Sequence, residues 1–216
     1  HDRMMRSVMA SSGCCVIGVD YHLAPEAKFP IPLYESAAVV RFFQEHGAEY
    51  GILTDKMALA GDSGGANLAL GVNLYLRDTP GGNEFVKALL LYYGAFWLQD
   101  SSSARLYGTL LDGMRRSDLA AYMSYYVNAE DMENPYFAAF LNDLSTGVPP
   151  IYMCCGSLDP LLDDTKTLEQ MMKYYGVPTQ VDIVPGALHA FMHYGRMMPE
   201  AVECLEHSGA FFKAQL

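Results

Sequence analysis

The segment Gly61–Gly65, which reads G-D-S-G-G, places Ser63 between small residues where two different kinds of segment meet. The preceding Lys56–Ala60 is typical of a buried strand, and the following Ala66–Leu70 is typical of a helix. Such a junction holds a serine hydroxyl clear of a sheet, provided that the residues two before and two after it are small enough for the backbones to pass. The two outer glycines meet that requirement. The pattern predicts a nucleophilic serine, and the alternative is a glycine-rich phosphate-binding or packing turn.

A nucleophilic serine needs a general base to take its proton and an acid group to orient that base. In enzymes built around a strand–turn–helix nucleophile, the chain order is serine, acid, histidine. Three histidines follow Ser63, namely His189, His193 and His207. His189 comes just after the last predicted strand, where a loop can carry it back over the serine, whereas His207 falls in an amphipathic helix. We therefore expect His189 to be the base, with His193 as its competitor.

The acid is predicted to be Asp159, which follows the apolar run Ile151–Cys155. A carboxylate at the carboxyl end of a parallel strand faces the same side of the sheet as the serine turn. The alternative is that it caps a helix beginning near Pro160, with Asp163 and Asp164 in the favourable first turns. A position at the start of the helix explains Asp163 and Asp164, whereas for Asp159 we prefer the role of catalytic acid.

Other chemistries have less support in the sequence. His189 and His193 are four residues apart, but there is neither an H-E-x-x-H pattern nor an obvious third ligand, so no metal site is predicted. Gly81 and Gly82 follow a proline and are typical of an ordinary loop. A serine, histidine and aspartate need no cofactor, and none is expected.

Short apolar runs alternate along the chain with longer stretches of helical periodicity. This pattern is typical of βα units that build a mostly parallel sheet flanked by helices, so the predicted fold class is α/β. Buried strands are predicted at Val16–Val19, Met57–Ala60, Ala88–Tyr92, Ile151–Cys155 and Gln180–Val184. Helices are predicted at Leu33–Glu45, Ala66–Leu76, Leu161–Tyr174 and Pro199–Ala214.

Residues 98–145 interrupt this alternation, because they contain no β-rich run and instead carry many aromatic and aliphatic side chains. We expect an excursion above the sheet that would help to wall a substrate pocket. The alternative is a set of helices that thicken the core. No repeat, low-complexity segment or linker divides the chain, so residues 1–216 are expected to form a single domain.

Charge and cysteine usage limit the expected partners and compartment. The 14 basic and 25 acidic residues give a net charge of −11, which disfavours binding to nucleic acid or to a membrane surface. No apolar run approaches the roughly 20 residues that cross a bilayer, so a soluble protein is expected. Five cysteines, with adjacent pairs at Cys14-Cys15 and Cys154-Cys155 in apolar runs, indicate reduced thiols in a core and a cytoplasmic protein. The sequence does not decide between a monomer and a homo-oligomer.

Several segments together resemble the hormone-sensitive-lipase family of esterases. They are Val19–Glu26, the serine turn, Asp159–Leu161 and Gly186–Phe191, and the resemblance runs through nearly the whole chain. It implies the α/β-hydrolase fold and gives the roles of nucleophile, acid and base to the three residues already selected. It also implies small-molecule carboxylic esters with short acyl chains, acetyl above all, as substrates.

The chain departs from that family at its first residue. The family's oxyanion hole takes N–H groups from an H-G-G-G loop that precedes a segment like His1–Met5, and this sequence starts after such a loop, without an initiator Met. We therefore expect an N-terminally truncated α/β-hydrolase, and a signal peptide is left open. The remaining oxyanion donor is the N–H of Gly64. Loss of one donor typically costs about 2.7–4 kcal/mol of transition-state stabilisation.

The resulting hypothesis is acyl transfer to Ser63, with His189 acting first as base and then as acid, followed by hydrolysis of the acyl-enzyme. Two alternatives stay open. One is a serine peptidase or amidase on the same fold. The other is a catalytically impaired fragment that keeps its three residues and acts only as a binding module.

Overall fold

Four parallel strands form one sheet in the computed structural model, which describes residues 1–97 and 100–216. They are β1 Met57–Asp62, β2 Val86–Tyr92, β3 Ile151–Gly156 and β4 Thr179–Val184, and they lie side by side in chain order. The register pairs Asp62 with Tyr92, and Tyr92 with Cys154. Because all four strands run the same way, the loops that follow them meet at one edge of the sheet.

Seven α-helices accompany this sheet within the described residues. They are α1 Asp2–Ser12, α2 Ile31–His46, α3 Gly64–Asp78, α4 Ser102–Leu106, α5 Arg116–Tyr126, α6 Leu162–Tyr175 and α7 Pro199–Lys213. Short 3-10 turns lie at Gly47–Tyr50, Ala129–Asp131, Ala139–Leu141 and Phe191–Tyr194. None of the helices within the described residues is long and apolar enough to cross a membrane.

Alternate residues of β2 point into two separate cores, as the period of a strand requires. Leu89 and Leu91 pack with α2, α3 and α6 on one face. Leu90 and Tyr92 pack with α1 and α7 on the other. The Tyr92 hydroxyl donates a hydrogen bond of 2.9 Å to Ser208 Oγ in α7, which satisfies a polar group within this second core.

The predicted α/β class, four of the five predicted strands and all four predicted helices are confirmed, with ends that differ by a few residues. The predicted strand Val16–Val19 is wrong. This segment has no regular secondary structure, is partly exposed and, within the described residues, pairs with no strand. An apolar run specifies a strand only where a neighbour can accept and donate its backbone hydrogen bonds. Helix α1 was not predicted, although buried Met4 and Val8 have helical spacing.

The cysteine pairs differ from each other in burial. Cys154 and Cys155 are buried in β3 as expected, but Cys15 is exposed and Cys14 is only partly buried, so the prediction of a core position is wrong for the first pair. The reason is that the predicted strand Val16–Val19 does not form, so Cys14 and Cys15 lie in a segment after α1 that pairs with no strand of the described residues. All five cysteines are free thiols.

The excursion contains no strand within residues 100–145, and its first two residues, 98 and 99, lie outside the described part of the chain. Its two halves behave differently. Phe137, Ala138 and Leu144 are buried in the core beside α3. In the earlier half, Leu110 and Leu111 are 73% and 92% exposed. These three side chains of the later half therefore pack into the core, whereas the two leucines of the earlier half do not.

These differences in thiol burial predict selective alkylation. Iodoacetamide under native conditions is expected to modify Cys15, whereas Cys154 and Cys155 stay unmodified until the protein is unfolded in urea. The thiolate is the reactive form, and burial raises the pKa of both Cys154 and Cys155 while also blocking access. Peptide mass spectrometry distinguishes the sites. Equal modification of all three under native conditions would contradict the burial of β3.

Candidate active site

Ser63 occupies a sharp turn between the end of β1 and the start of α3. Its backbone angles are φ 55° and ψ −120°, in a left-handed region that costs a side-chain-bearing residue about 1–3 kcal/mol. The Ser63 N–H donates to the Tyr92 carbonyl at 2.9 Å, and the Ser63 carbonyl accepts from Ala66 N–H at 3.1 Å. The strained residue is thus held by the sheet on one side and by the helix on the other.

The space around this turn depends on Gly61 and not on Gly65. A Cβ atom at position 61 would collide with the Gly65 carbonyl group, whereas a Cβ at position 65 would meet no atom within 4 Å. The expected need for a small residue is therefore explained at Gly61, whereas at position 65 no neighbouring atom restricts an added Cβ. The two positions differ because a Cβ on residue 61 would point across the turn at the backbone of Gly65 and Ala66, whereas a Cβ on residue 65 would point into open space.

Two loops at the same edge of the sheet carry Asp159 and His189. The first follows β3 and the second follows β4, and they contact each other closely. Ser157 N–H donates to the Val184 carbonyl at 2.9 Å, and Leu158 N–H donates to the Ala187 carbonyl at 3.1 Å. These contacts fix one loop relative to the other before any substrate is present.

The three predicted residues come together at this edge. His189 Nε2 lies 2.8 Å from Ser63 Oγ, and His189 Nδ1 lies 2.8 Å from Asp159 Oδ2. The His189 side chain is 6% exposed and that of Asp159 is 0% exposed. A carboxylate beside Nδ1 favours a proton on that nitrogen, which leaves the Nε2 lone pair directed at the serine.

The two roles weighed for Asp159 are compatible. Its Oδ1 accepts a hydrogen bond from the Leu161 N–H at 2.8 Å, close to the start of α6, while Oδ2 faces His189. Asp163 and Asp164 lie in the first turn of α6 as predicted. The Asp163 carboxylate accepts the N–H of Ser103 at 2.8 Å and so fastens the excursion to α6, while the Asp164 carboxylate accepts the N–H of Phe96, just before the excursion, at 2.6 Å.

The other two histidines lie elsewhere. His193, the predicted competitor, has its Nε2 3.2 Å from Asp62 Oδ2. His207 in α7 has its Nδ1 2.8 Å from Asp182 Oδ2. Of the three histidines that follow Ser63, His189 is the one whose ring contacts its hydroxyl.

Gly64 is the first residue of α3 and is exposed. The N–H groups of the first turn of a helix have no acceptor within the helix. They also lie at the positive end of the helix dipole. The Gly64 N–H therefore suits a developing negative oxygen next to Ser63.

Tyr93 was missed by sequence reasoning. Its ring packs edge-on against His189 with centroids 5.0 Å apart, and its hydroxyl donates to Asp62 Oδ2 at 3.3 Å. Burial, and then the nearby Asp62 carboxylate, raise the pKa of Tyr93. Its position directly after β2, at the same edge of the sheet, was the available signal.

An α/β-hydrolase-fold family matches residues 1–193. The chain belongs to that family. A curated acetyl esterase from Salmonella paratyphi A is 43% identical to it, and the match covers 100% of this chain and 67% of the relative. The resemblance to esterases that the sequence indicated is confirmed.

Solved structures agree with this family assignment. An esterase from Pyrobaculum calidifontis matches with a TM-score of 0.91 and 29% identity, over 99% of this chain and 70% of the neighbour. A thermostable carboxylesterase cloned from a metagenomic library matches with a TM-score of 0.93 and 26% identity, over 100% of this chain and 74% of the neighbour. This chain is an α/β hydrolase of the carboxylesterase type.

The geometry of the serine turn predicts opposite outcomes for two alanine substitutions. Gly61→Ala forces a Cβ into the Gly65 carbonyl and is expected to lower the free energy of unfolding by about 3 kcal/mol. Gly65→Ala adds a methyl group in open space within a helix, so the change is expected to stay below about 1 kcal/mol. Urea denaturation measures both. Equal destabilisation by the two variants would contradict the one-sided crowding of the turn.

Proposed function

We propose that this chain hydrolyses carboxylic esters with short acyl chains, acetyl esters above all, with Ser63 as nucleophile. The observation that carries the proposal is the continuous line of contacts from the Asp159 carboxylate through the His189 imidazole to the Ser63 hydroxyl, each 2.8 Å long. The curated relative that is 43% identical carries the name acetyl esterase, which supports the choice of acyl group.

The reaction begins with attack of Ser63 Oγ on the ester carbonyl carbon. His189 Nε2 takes the hydroxyl proton as the new C–O bond forms, and the carbonyl electron pair moves onto oxygen. The imidazolium is stabilised by the Asp159 carboxylate, strongly because both side chains are buried. His189 then protonates the departing alcohol as the ester C–O bond breaks, leaving an acyl group on Ser63.

Water completes the cycle by the same route. His189 Nε2 takes a proton from a water molecule, whose oxygen attacks the acyl carbon. The second tetrahedral intermediate collapses when the bond to Ser63 Oγ breaks and His189 returns the proton to that oxygen. The products are a carboxylic acid and an alcohol, and the three residues return to their starting state.

We assign one oxyanion-hole donor to the Gly64 N–H. It follows the nucleophile directly and lies at the N-terminus of α3, where the helix dipole favours negative charge. One such donor typically contributes about 2.7–4 kcal/mol to transition-state stabilisation. The turnover of this chain therefore depends strongly on whether a second donor reaches the same oxygen.

We also propose that the earlier half of the excursion, residues 100–126, forms one wall of the substrate pocket within a single domain. Ser103 supports this placement, because its hydroxyl donates to the Pro160 carbonyl at 2.9 Å, next to Asp159. The exposed Leu110 and Leu111 supply apolar surface beyond that attachment. An apolar wall suits a short acyl chain.

The free thiols support a reducing compartment, and we propose the cytoplasm. Cys154, Cys155 and Cys204 are buried without disulfides. Cys154 Sγ lies 3.3 Å from Met192 Sδ in the core between β3 and the turn after His189. Thiols of this kind persist where cellular reductants keep cysteines reduced.

The role of Ser63 predicts selective labelling by an organophosphonate probe. The chain and its Ser145→Ala variant, which changes an exposed serine, are expected to bind the probe and to hydrolyse a short aryl ester. Ser63→Ala is expected to do neither. Mass spectrometry and ester turnover measure the two properties.

The same experiment separates the alternatives. Labelling of Ser63 without ester turnover would support an impaired fragment that only binds. Equal cleavage of a matched anilide would support an amidase, because amide hydrolysis needs more assistance to its leaving group. Labelling that persists in Ser63→Ala would contradict the proposed nucleophile.

The role of Asp159 predicts a loss of turnover without a loss of fold. Asp159→Asn can still accept the Leu161 N–H but no longer stabilises the imidazolium, so kcat is expected to fall about 10,000-fold. The matched control is Asp182→Asn, which alters the second histidine–aspartate contact of 2.8 Å, at His207. Its kcat per folded molecule is expected to stay unchanged. Steady-state kinetics with circular dichroism measures both, and equal losses would contradict the assignment.

A further inference from the structure

A second cluster of ionisable side chains lies beside the serine turn. It joins His1 at the start of α1, Asp62 at the end of β1 and His193 in the 3-10 turn Phe191–Tyr194. His1 Nε2 lies 2.9 Å from Asp62 Oδ1, and His193 Nε2 lies 3.2 Å from Asp62 Oδ2. One ligand atom from each of the three residues lies within 4.8 Å of the other two.

This spacing suits a small divalent ion. Ligand atoms about 2 Å from a tetrahedral zinc ion lie about 3.4 Å from one another, so small side-chain movements would seat an ion among them. Two imidazoles and one carboxylate are a donor set that zinc and other first-row divalent ions accept. The side chains are 65%, 13% and 39% exposed for His1, Asp62 and His193, which leaves a fourth position open to water.

An outer contact supports the same interpretation. The buried Tyr93 hydroxyl donates to Asp62 Oδ2 at 3.3 Å and so helps to fix the orientation of that carboxylate. Ligands in metal sites are commonly held by a second layer of hydrogen bonds of this kind. The three contacts to Asp62 come from two imidazoles and a phenol, so none of them carries an obligatory positive charge that would compete with a cation.

We propose that His1, Asp62 and His193 bind one Zn²⁺ ion or a similar first-row divalent ion. The ion would join α1, the strand that leads into Ser63 and the turn that begins just after His189. It would act as a structural tie that keeps the His189 loop next to the serine turn. Ion binding itself does not depend on the proposed ester hydrolysis.

Calorimetric titration with Zn²⁺ tests this site. The protein used is the Cys14→Ser, Cys15→Ser variant, because adjacent accessible thiols would also bind zinc. We expect one ion per chain. Replacing a ligand, in His193→Gln or Asp62→Asn, is expected to weaken binding by at least about tenfold, the lower limit for changes around metal ligands.

The matched control is His207→Gln. His207 also has a carboxylate at 2.8 Å, that of Asp182, but it belongs to no group of three ligands within the described residues. This variant is expected to bind Zn²⁺ like the parent protein. Absence of binding by the parent, or binding that His193→Gln and Asp62→Asn leave unchanged, would overturn the proposal and leave the cluster as a set of hydrogen bonds.

Thermal melting gives a second readout that separates ion binding from catalysis. Zn²⁺ is expected to raise the melting temperature of the parent and of Ser63→Ala alike, since an ion that binds only the folded state stabilises it. The increase is expected to disappear in His193→Gln. A rise of the same size in that variant would contradict the proposal. If the parent has no esterase activity but its melting temperature still rises with Zn²⁺, and this rise is lost in His193→Gln, the result would count against the esterase mechanism and not against the ion site.

Discussion

The imidazole of His189 is fixed at both ring nitrogens, and the rest of the site depends on that arrangement. One nitrogen faces the buried carboxylate of Asp159 and the other faces the hydroxyl of Ser63, at 2.8 Å in each case. Three loops must converge to produce these contacts, and they do so because β1, β3 and β4 are parallel and end at the same edge. The shared direction of the strands is thus a condition for the chemistry.

Burial distinguishes the histidine–aspartate contacts at this edge. Asp159 and His189 are almost fully enclosed, so their interaction is weakly screened and an imidazolium formed there is strongly stabilised. Asp62 and His193 are 13% and 39% exposed. Tyr93 lies between the two pairs, since its ring packs on His189 and its hydroxyl contacts Asp62. Any ion held by Asp62 would therefore lie one side chain away from the proposed base.

The residues of the site could be predicted from the sequence because each follows an apolar run that forms a strand. Local patterns were enough to predict that Ser63, Asp159 and His189 lie together, because their chain order is itself a constraint. They failed at Val16–Val19, because pairing depends on a neighbour that an apolar run does not identify. They also do not indicate that His1, Asp62 and His193 lie together, because these residues are far apart in the chain and show no metal-binding spacing.

Rapid-quench mass spectrometry of the protein mixed with an aryl acetate detects the covalent acyl intermediate that we propose on Ser63. The predicted result is one acetyl group on the peptide that contains Ser63, formed before steady state in the parent and absent from Ser63→Ala. Turnover of the acetate ester by the parent protein without any acetyl group on this peptide would contradict the role of Ser63 as nucleophile.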